Sequence, residues 1–251
     1  MTIRITDVEP GIQVLAIDRP DTRNAFDTRT YRVLADSIAA AEADPHIDVI
    51  ILTGHGGIFT SGNDMADFRD QKGFEEPLAL LHLLISADKP VIAAVEGYAI
   101  GIGTTMLLHC DLAYAGRSTI FSVPFVKLGL SAEAASTLLL PKIAGDKRAA
   151  EMLLLGGRFD AARAETAGLI NSVVDDGAAL TVAIDTARSL RQIPTEAVRT
   201  TKRLMRRNRS EVLQVIEDEA VVFRERAASP EALQAFDDFL QSASQRPAVR
   251  T

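Results

Sequence analysis

The chain has 251 residues, 47% hydrophobic and 24% charged, which excludes a globally disordered chain and suits one large core with an appendage. A formal net charge of −7 disfavours non-specific nucleic-acid binding, although an anionic small ligand can still meet a local field of opposite sign. The single cysteine, Cys110, excludes an internal disulfide and a multi-cysteine zinc site, and with no Trp the core falls to Ala, Leu, Ile and Val.

The opening residues MTIRITDVEPG lack an apolar stretch of signal-peptide length, and no apolar run long enough to span a membrane follows, so a cytoplasmic protein with no membrane partner is expected. Residues 3–7 and 11–17 read as two strands around the Pro10-Gly11 turn signal. From Thr28 to Ala43 the apolar spacing is helical, with Tyr31, Leu34, Ala35 and Ile38 on one face. Val49-Ile50-Ile51-Leu52 is an unbroken apolar run before a glycine, as in a strand buried on both faces. Residues 75–87 predict a helix, Val91–Val95 a second buried strand, and 104–109 a further helix. Leu112–Ala115 and Ile120–Ser122 read as strands. This alternation argues for an α/β fold with parallel strands.

Beyond about residue 132 the spacing is helical over 133–143, 146–155, 160–167, 178–191, 195–208, 210–227 and 230–242, with one short strand at Asn171–Val174. The Ile193-Pro194 step divides a core of residues 1–194 from a helical C-terminal region of residues 195–251.

Two loops invite chemistry. Phe59-Thr60-Ser61-Gly62-Asn63-Asp64-Met65 and Gly97-Tyr98-Ala99-Ile100-Gly101-Ile102-Gly103-Thr104 each follow a predicted strand and lead towards a helix. Glycine there permits a sharp turn, and unpaired N–H groups at the helix start can face a developing negative charge. Two donors converging on one oxygen make an oxyanion hole. Taken singly, each loop fits tight strand-to-helix packing equally well. Neither is a P-loop, and Gly101-Ile102-Gly103 lacks the third glycine of a dinucleotide fingerprint.

The two loops, with Asp18-Arg19-Pro20 and Asn24-Ala25 before them and Cys110-Asp111-Leu112-Ala113-Tyr114-Ala115 and Ala167-Gly168-Leu169-Ile170 after, resemble the crotonase, or enoyl-CoA hydratase/isomerase, superfamily in order and spacing across nearly the whole chain. The resemblance implies a spiral of ββα units and a helical C-terminal region that serves trimerisation and covers the acyl pocket. It also implies homotrimers or pairs of trimers, and an acyl-CoA thioester as ligand. Carried onto this sequence, it places the oxyanion-hole donors at the backbone N–H groups of Ser61 and Ile102. No metal or redox cofactor is implied, and CoA enters as part of the substrate.

Hydratases of this family use two glutamates, one in the helix after the second glycine loop and one after the proline that follows the Phe-Ser strand. Thr105 and Phe125 stand there in this chain, and neither is a carboxylate. The segment from Pro124 to Glu133 instead resembles the Δ3,Δ2-enoyl-CoA isomerases of peroxisomal type, with Glu133 in the place of their catalytic glutamate. One base suffices to move a double bond, and a water-poor pocket suppresses hydration. Burial is expected to make Glu133 a stronger base. By position alone Glu133 also fits an ordinary acid in a first helical turn. An enoyl-CoA hydratase with atypical catalytic residues and a non-catalytic acyl-CoA-binding protein are the rival readings.

Arg23, Thr60, Gly62, Asn63, Asp64, Phe125 and Leu130 are the expected substrate contacts, with Met65 and Phe68 as further lining or plain core. Lys202, Arg203, Arg206, Arg207 and Arg209 are candidates for CoA phosphate contact or for ion pairs. Cys110 reads as a buried inert thiol, and the four histidines show no metal-ligand spacing. The chain ends Val249-Arg250-Thr251, without a Ser-Lys-Leu signal.

Overall fold

The computed structural model describes residues 2–69 and 74–244; the Phe68 side chain and the Val249-Arg250-Thr251 end lie outside the described residues. In chain order the elements are β1 (Ile3–Glu9), β2 (Gly11–Ile17), α1 (Thr28–Ala43), β3 (Ile47–Gly54), α2 (Met65–Arg69), α3 (Glu75–Ser86), β4 (Val91–Val95), β5 (Tyr98–Ile100) and α4 (Ile102–Thr105). There follow β6 (Leu112–Gly116), β7 (Ile120–Ser122), α5 (Ser136–Ala144), α6 (Asp146–Leu155), β8 (Arg158–Asp160), α7 (Ala161–Thr166) and β9 (Ser172–Val174). Four helices close the chain: α8 (Ala179–Arg191), α9 (Thr195–Met205), α10 (Arg209–Ala227) and α11 (Pro230–Ser244).

The large sheet has the order β1-β2-β3-β4-β6-β9, and a small sheet has the order β5-β7-β8. The β1-β2 hairpin is antiparallel, and every other pair of the large sheet is parallel. Two successive turns of the spiral leave one strand in the large sheet and one in the small sheet before their helices. Thus β4 and β5 precede α4, and β6 and β7 precede α5. The turn after β3 places Thr60 in a bridge to Ala99 of β5, so the first loop is itself stitched to the small sheet.

The unbroken apolar runs are buried on both faces. Ile50 and Leu52 face the main core with α1 and α3, whereas Val49 and Ile51 face Ala179, Ala183 and Ala187 of α8. Small alanines let α8 lie close against the sheet, as dense core packing demands. The C-terminal helices return over the front, with α10 on α3 and α11 on α2.

Several elements depart from the sequence expectation. Tyr98–Ile100, read as part of a loop, forms β5, and β8 and α2 were unanticipated. Such short segments are held by neighbours remote in sequence, and their own periodicity is too brief to mark them. The helix expected from residue 133 starts at Ser136, because Ala134 and Ala135 both take left-handed backbone with φ of 60° and 53°. Glu133 therefore precedes the helix rather than sitting in its first turn.

Candidate active site

Two loops at the carboxyl ends of strands meet in front of the sheets. The first is held from behind by Arg19 and Asn24. Arg19 makes ion pairs to Asp27 at 3.1 Å and Asp64 at 3.3 Å. Asn24, buried with φ of 59°, accepts from the Arg19 N–H at 2.8 Å and donates to the Ile58 carbonyl at 2.5 Å. Asparagine tolerates this left-handed backbone while filling the orphaned backbone groups around it.

The second loop turns at Gly101, whose φ of 58° and ψ of −121° suit only glycine. Gly103 follows in the first turn of α4, where an added Cβ would meet Thr60 Cγ2 at 2.3 Å. Thr60 cannot move aside, because its Oγ1 donates to Asn24 O at 2.7 Å and accepts from Gly62 N at 3.0 Å. Gly103→Ala is therefore expected to lower stability by about 1–3 kcal/mol through overpacking. Urea denaturation checks this, and an unchanged midpoint would contradict it.

Backbone hydrogen-bond accounting corrects one expectation. The Ser61 N–H donates to the Arg23 carbonyl at 3.1 Å, so it is not free to meet a ligand oxygen. Gly62 N is also occupied, by Thr60. Asn63 N takes no partner among the described residues, and neither does Ile102 N at the first position of α4. Asn63 and Ile102 thus supply a free donor from each loop.

Two adjoining cavities open here. The first is lined by Tyr31, Asn63, Phe74, Pro77, Leu78, Leu81, Glu133, Ala134, Ile216, Ala220, Phe223 and Arg224. The second is lined by Ser61, Gly62, Asn63, Met65, Ile100, Gly101, Pro124, Phe125, Leu128, Leu130 and Phe239. Asn63 belongs to both walls. Phe125 of the second meets Phe223 of the first edge-on, with ring centroids 6.1 Å apart.

Among the described residues Glu133 is the one carboxylate lining the first cavity. Its Oε1 accepts from Thr105 Oγ1 at 2.5 Å. Burial pushes its carboxyl up from the ordinary 4.5 to about 8; the Thr105 hydrogen bond works against this and the Glu219 charge adds to it. Tyr31 is buried beside it and donates to Asn63 Oδ1, and burial followed by the Glu133 charge raises its phenol well above 10. A buried tyrosine hydroxyl needs such a partner.

The left-handed turn after Glu133 is clamped from both sides. Glu219 of α10 accepts from Ala135 N at 2.6 Å, Thr137 N at 3.1 Å and Thr137 Oγ1 at 2.5 Å. His109 Nε2 donates to the Ala134 carbonyl at 2.8 Å, and burial lowers that imidazole to about 4, which keeps it neutral.

The structure sorts the remaining sequence candidates. Phe125 and Leu130 are buried in the second cavity's wall, and Gly62 and Asn63 line it. Thr60 is fully buried and Asp64 is turned to Arg19, so both support the loop from behind and line neither cavity. Arg23 is exposed with φ of 54°, outside both cavity walls, and its carbonyl holds Ser61. Lys202, Arg206 and Arg209 are turned inward to Asp111, Asp88 and backbone carbonyls, and Arg203 pairs with Asp88. Of that basic stretch, Arg207 stays exposed and unpaired among the described residues. Burial pushes the Cys110 thiol up to about 12, consistent with an inert group.

Sequence reasoning passed over Thr105, Tyr31 and Glu219 as site residues. The family pattern marks Thr105 only as the absence of an acid, and periodicity marks Tyr31 only as a position on the buried face of α1. The signal available for Tyr31 was its hydroxyl, which a buried helix face leaves in need of a partner. Nothing local marks Glu219, whose partners lie 84 and 82 residues away.

No helix among the described residues is long and apolar enough to cross a membrane. Residues 7–244 match the family described as Enoyl-CoA hydratase/isomerase. The chain is 32% identical over 247 residues to enoyl-CoA delta isomerase 2 of Homo sapiens, which covers 94% of this chain but only 62% of that longer protein. It is 36% identical over 205 residues to the 1,2-epoxyphenylacetyl-CoA isomerase of Escherichia coli, covering 78% of each. Among solved structures it is similar to OdaA of Pseudomonas aeruginosa, with a TM-score of 0.92, 39% identity and coverage of 95% and 98%. An enoyl-CoA hydratase/isomerase from Pseudoalteromonas atlantica gives a TM-score of 0.91 and 34% identity over the full length of both chains. With the family match running almost from end to end and the ββα spiral present, the chain belongs to the enoyl-CoA hydratase/isomerase family and has the crotonase fold.

Proposed function

We propose that the protein converts a 3-enoyl-CoA to the 2-enoyl-CoA, with Glu133 carrying the proton. The observation that carries this reading is the single carboxylate, among the described residues, in the wall of a largely apolar cavity. Burial raises Glu133 to about 8, so that it is a stronger base than an exposed glutamate. The thioester oxygen sits between the N–H groups of Asn63 and Ile102, which hold the negative charge as it develops. Glu133 removes a proton from C2, and the C–H electron pair enters the dienolate. The same proton returns to C4 as the double bond settles between C2 and C3. Hydration by the family's two-glutamate arrangement would require a second carboxylate, and Thr105 and Phe125 offer none. The family's curated members of similar sequence that are named enoyl-CoA delta isomerase favour the same reaction.

The reaction's kcat/KM is expected to rise with pH up to about 8, because the free enzyme must present Glu133 ionised. Incubation with 3-hexenoyl-CoA and, separately, 2-hexenoyl-CoA, with products identified by mass and chromatography, tests the assignment. Isomerised 3-enoyl thioester without added water is the expected result. Rapid hydration of the 2-enoyl thioester, or no reaction with either, would overturn it.

The family reading also supplies the proposal of a homotrimer or a pair of trimers. Leu204 and Met205 at the end of α9 leave 52% and 78% of their surface exposed, beside a groove lined by Leu108, Leu112 and Ile193. Light scattering that returned a monomer mass would refute it.

A further inference from the structure

We propose that Thr105 is a positioning residue for the proton transfer: its hydroxyl tethers one oxygen of Glu133 and leaves the other as the atom that takes and returns the proton. This rests on Glu133 being the base. Thr105 Oγ1 lies 2.5 Å from Glu133 Oε1, while Oε2 has no hydrogen-bond partner among the described residues. The carboxylate forms part of the cavity wall, so Oε2 is the oxygen left for a substrate.

The geometry of Thr105 suits it to both protonation states. It is fully buried, and its N–H and hydroxyl both lie near the Gly101 carbonyl, at 3.0 and 3.3 Å. A threonine hydroxyl carries one hydrogen. With Glu133 ionised, that hydrogen goes to Oε1, the stronger acceptor. With the proton on Oε2, Oε1 is a carbonyl oxygen and still accepts. The carboxyl group therefore need not rotate between removing a proton at C2 and delivering it at C4, and the tether holds its plane fixed through the cycle. Because the hydrogen bond is stronger to the ionised form, it also offsets part of the burial effect on Glu133.

Other groups facing Glu133 are Glu219 and Arg224 from α10, Tyr31 from α1 and the neutral His109 after α4. None of them donates a hydrogen bond to its carboxylate in the structure. Removal of the Thr105 hydroxyl thus isolates one effect.

The test compares Thr105→Val, which keeps the side-chain volume, with Thr105→Ser, which keeps the hydroxyl. Two readouts are taken: the pH profile of kcat and KM with 3-hexenoyl-CoA, and a ¹³C-carboxyl NMR titration of the ligand-free protein in which Glu133→Gln identifies the Glu133 signal. In Thr105→Val the Glu133 midpoint is expected to move up by about one pH unit, with about tenfold less carboxylate at pH 7. Its kcat falls by about ten- to thirtyfold with KM within about twofold, the sign of an interaction lost at the reacting atoms rather than in binding. Thr105→Ser restores both. An unmoved NMR midpoint in Thr105→Val, or a serine variant as impaired as the valine one, would overturn the proposal. If the valine variant does not fold, Thr105→Ala is read by the same titration. Full isomerase rate in Glu133→Gln would instead refute the reading of the base, a failure the ligand-free titration separates from that of the tether.

Discussion

Glu133→Gln is expected to lower kcat for 3-enoyl-CoA isomerisation by about 10²- to 10⁴-fold, the usual range for losing a positioned acid–base group, with ligand affinity little changed. Glutamine matches the volume and accepts the Thr105 hydrogen bond but holds no transferable proton. A binding module would notice little, so rate measurement beside calorimetric titration with an unreactive acyl-CoA separates the two. The same variant carries a stability signature. The folded-state value of Glu133 lies at about 8, above its ordinary 4.5, so the neutral acid is the form the fold favours. Its contribution is complete below about 4.5 and is lost as pH rises towards 8. Wild-type protein should therefore lose stability over that window relative to Glu133→Gln, by on the order of a few kcal/mol. Parallel pH–stability curves for the two proteins would contradict the raised value. An enzyme that holds an acid in an apolar cavity for its chemistry is destabilised by it at the pH where it works.

Asp111→Ala is expected to be the most destabilising single change outside the cavity, by about 3–5 kcal/mol. Asp111 Oδ2 accepts from Lys202 Nζ at 2.6 Å and Val91 N at 2.8 Å, and Oδ1 pairs with Arg206 at 2.8 Å. Lys202 retains only 6% of its surface, and its remaining partner is the Lys89 carbonyl at 2.6 Å. Removing Asp111 leaves that ammonium buried without its paired carboxylate and the first N–H of β4 without an acceptor. Burial already lowers the Lys202 ammonium against the pull of Asp111. The double variant Asp111→Ala/Lys202→Met should recover much of the loss, because an apolar side chain does not demand a partner. Urea denaturation of both decides: a loss below about 1 kcal/mol in the single variant would mean that Lys202 finds water or another partner.

This network also explains why a basic run in the sequence was ambiguous. Lys202, Arg203, Arg206 and Arg209 read first as solvated charge or ion pairs and second as a phosphate-binding stripe, since helical spacing says which residues share a face and not what that face meets. Residues 88, 109 and 111, which supply most of their acceptors, lie about a hundred positions earlier in the chain.

Other features were legible because their cause is local. Helix α1 was bounded correctly at both ends by periodicity, and Asp27 caps it by accepting from Thr30 N at 2.7 Å. The buried strand β4 was visible in five consecutive apolar residues. The candidate base was visible through the family spacing of the segment from Pro124 to Glu133. The Ser61 assignment failed for a different reason. Which N–H of a loop is free depends on which carbonyl lies across from it, and the partner here, Arg23, belongs to another turn of the spiral.

By itself, then, the sequence determined the α/β alternation, the family, the two glycine loops and a candidate base, each of which is written in short local stretches of the chain. The tertiary structure decided which backbone donors remain open, the start of α5 after the left-handed Ala134-Ala135 turn, and the partners of Glu133, Glu219 and Lys202. Those partners are 28, 84 and 91 residues apart, and hydrogen bonds over such separations exist only once packing has brought the chain back on itself.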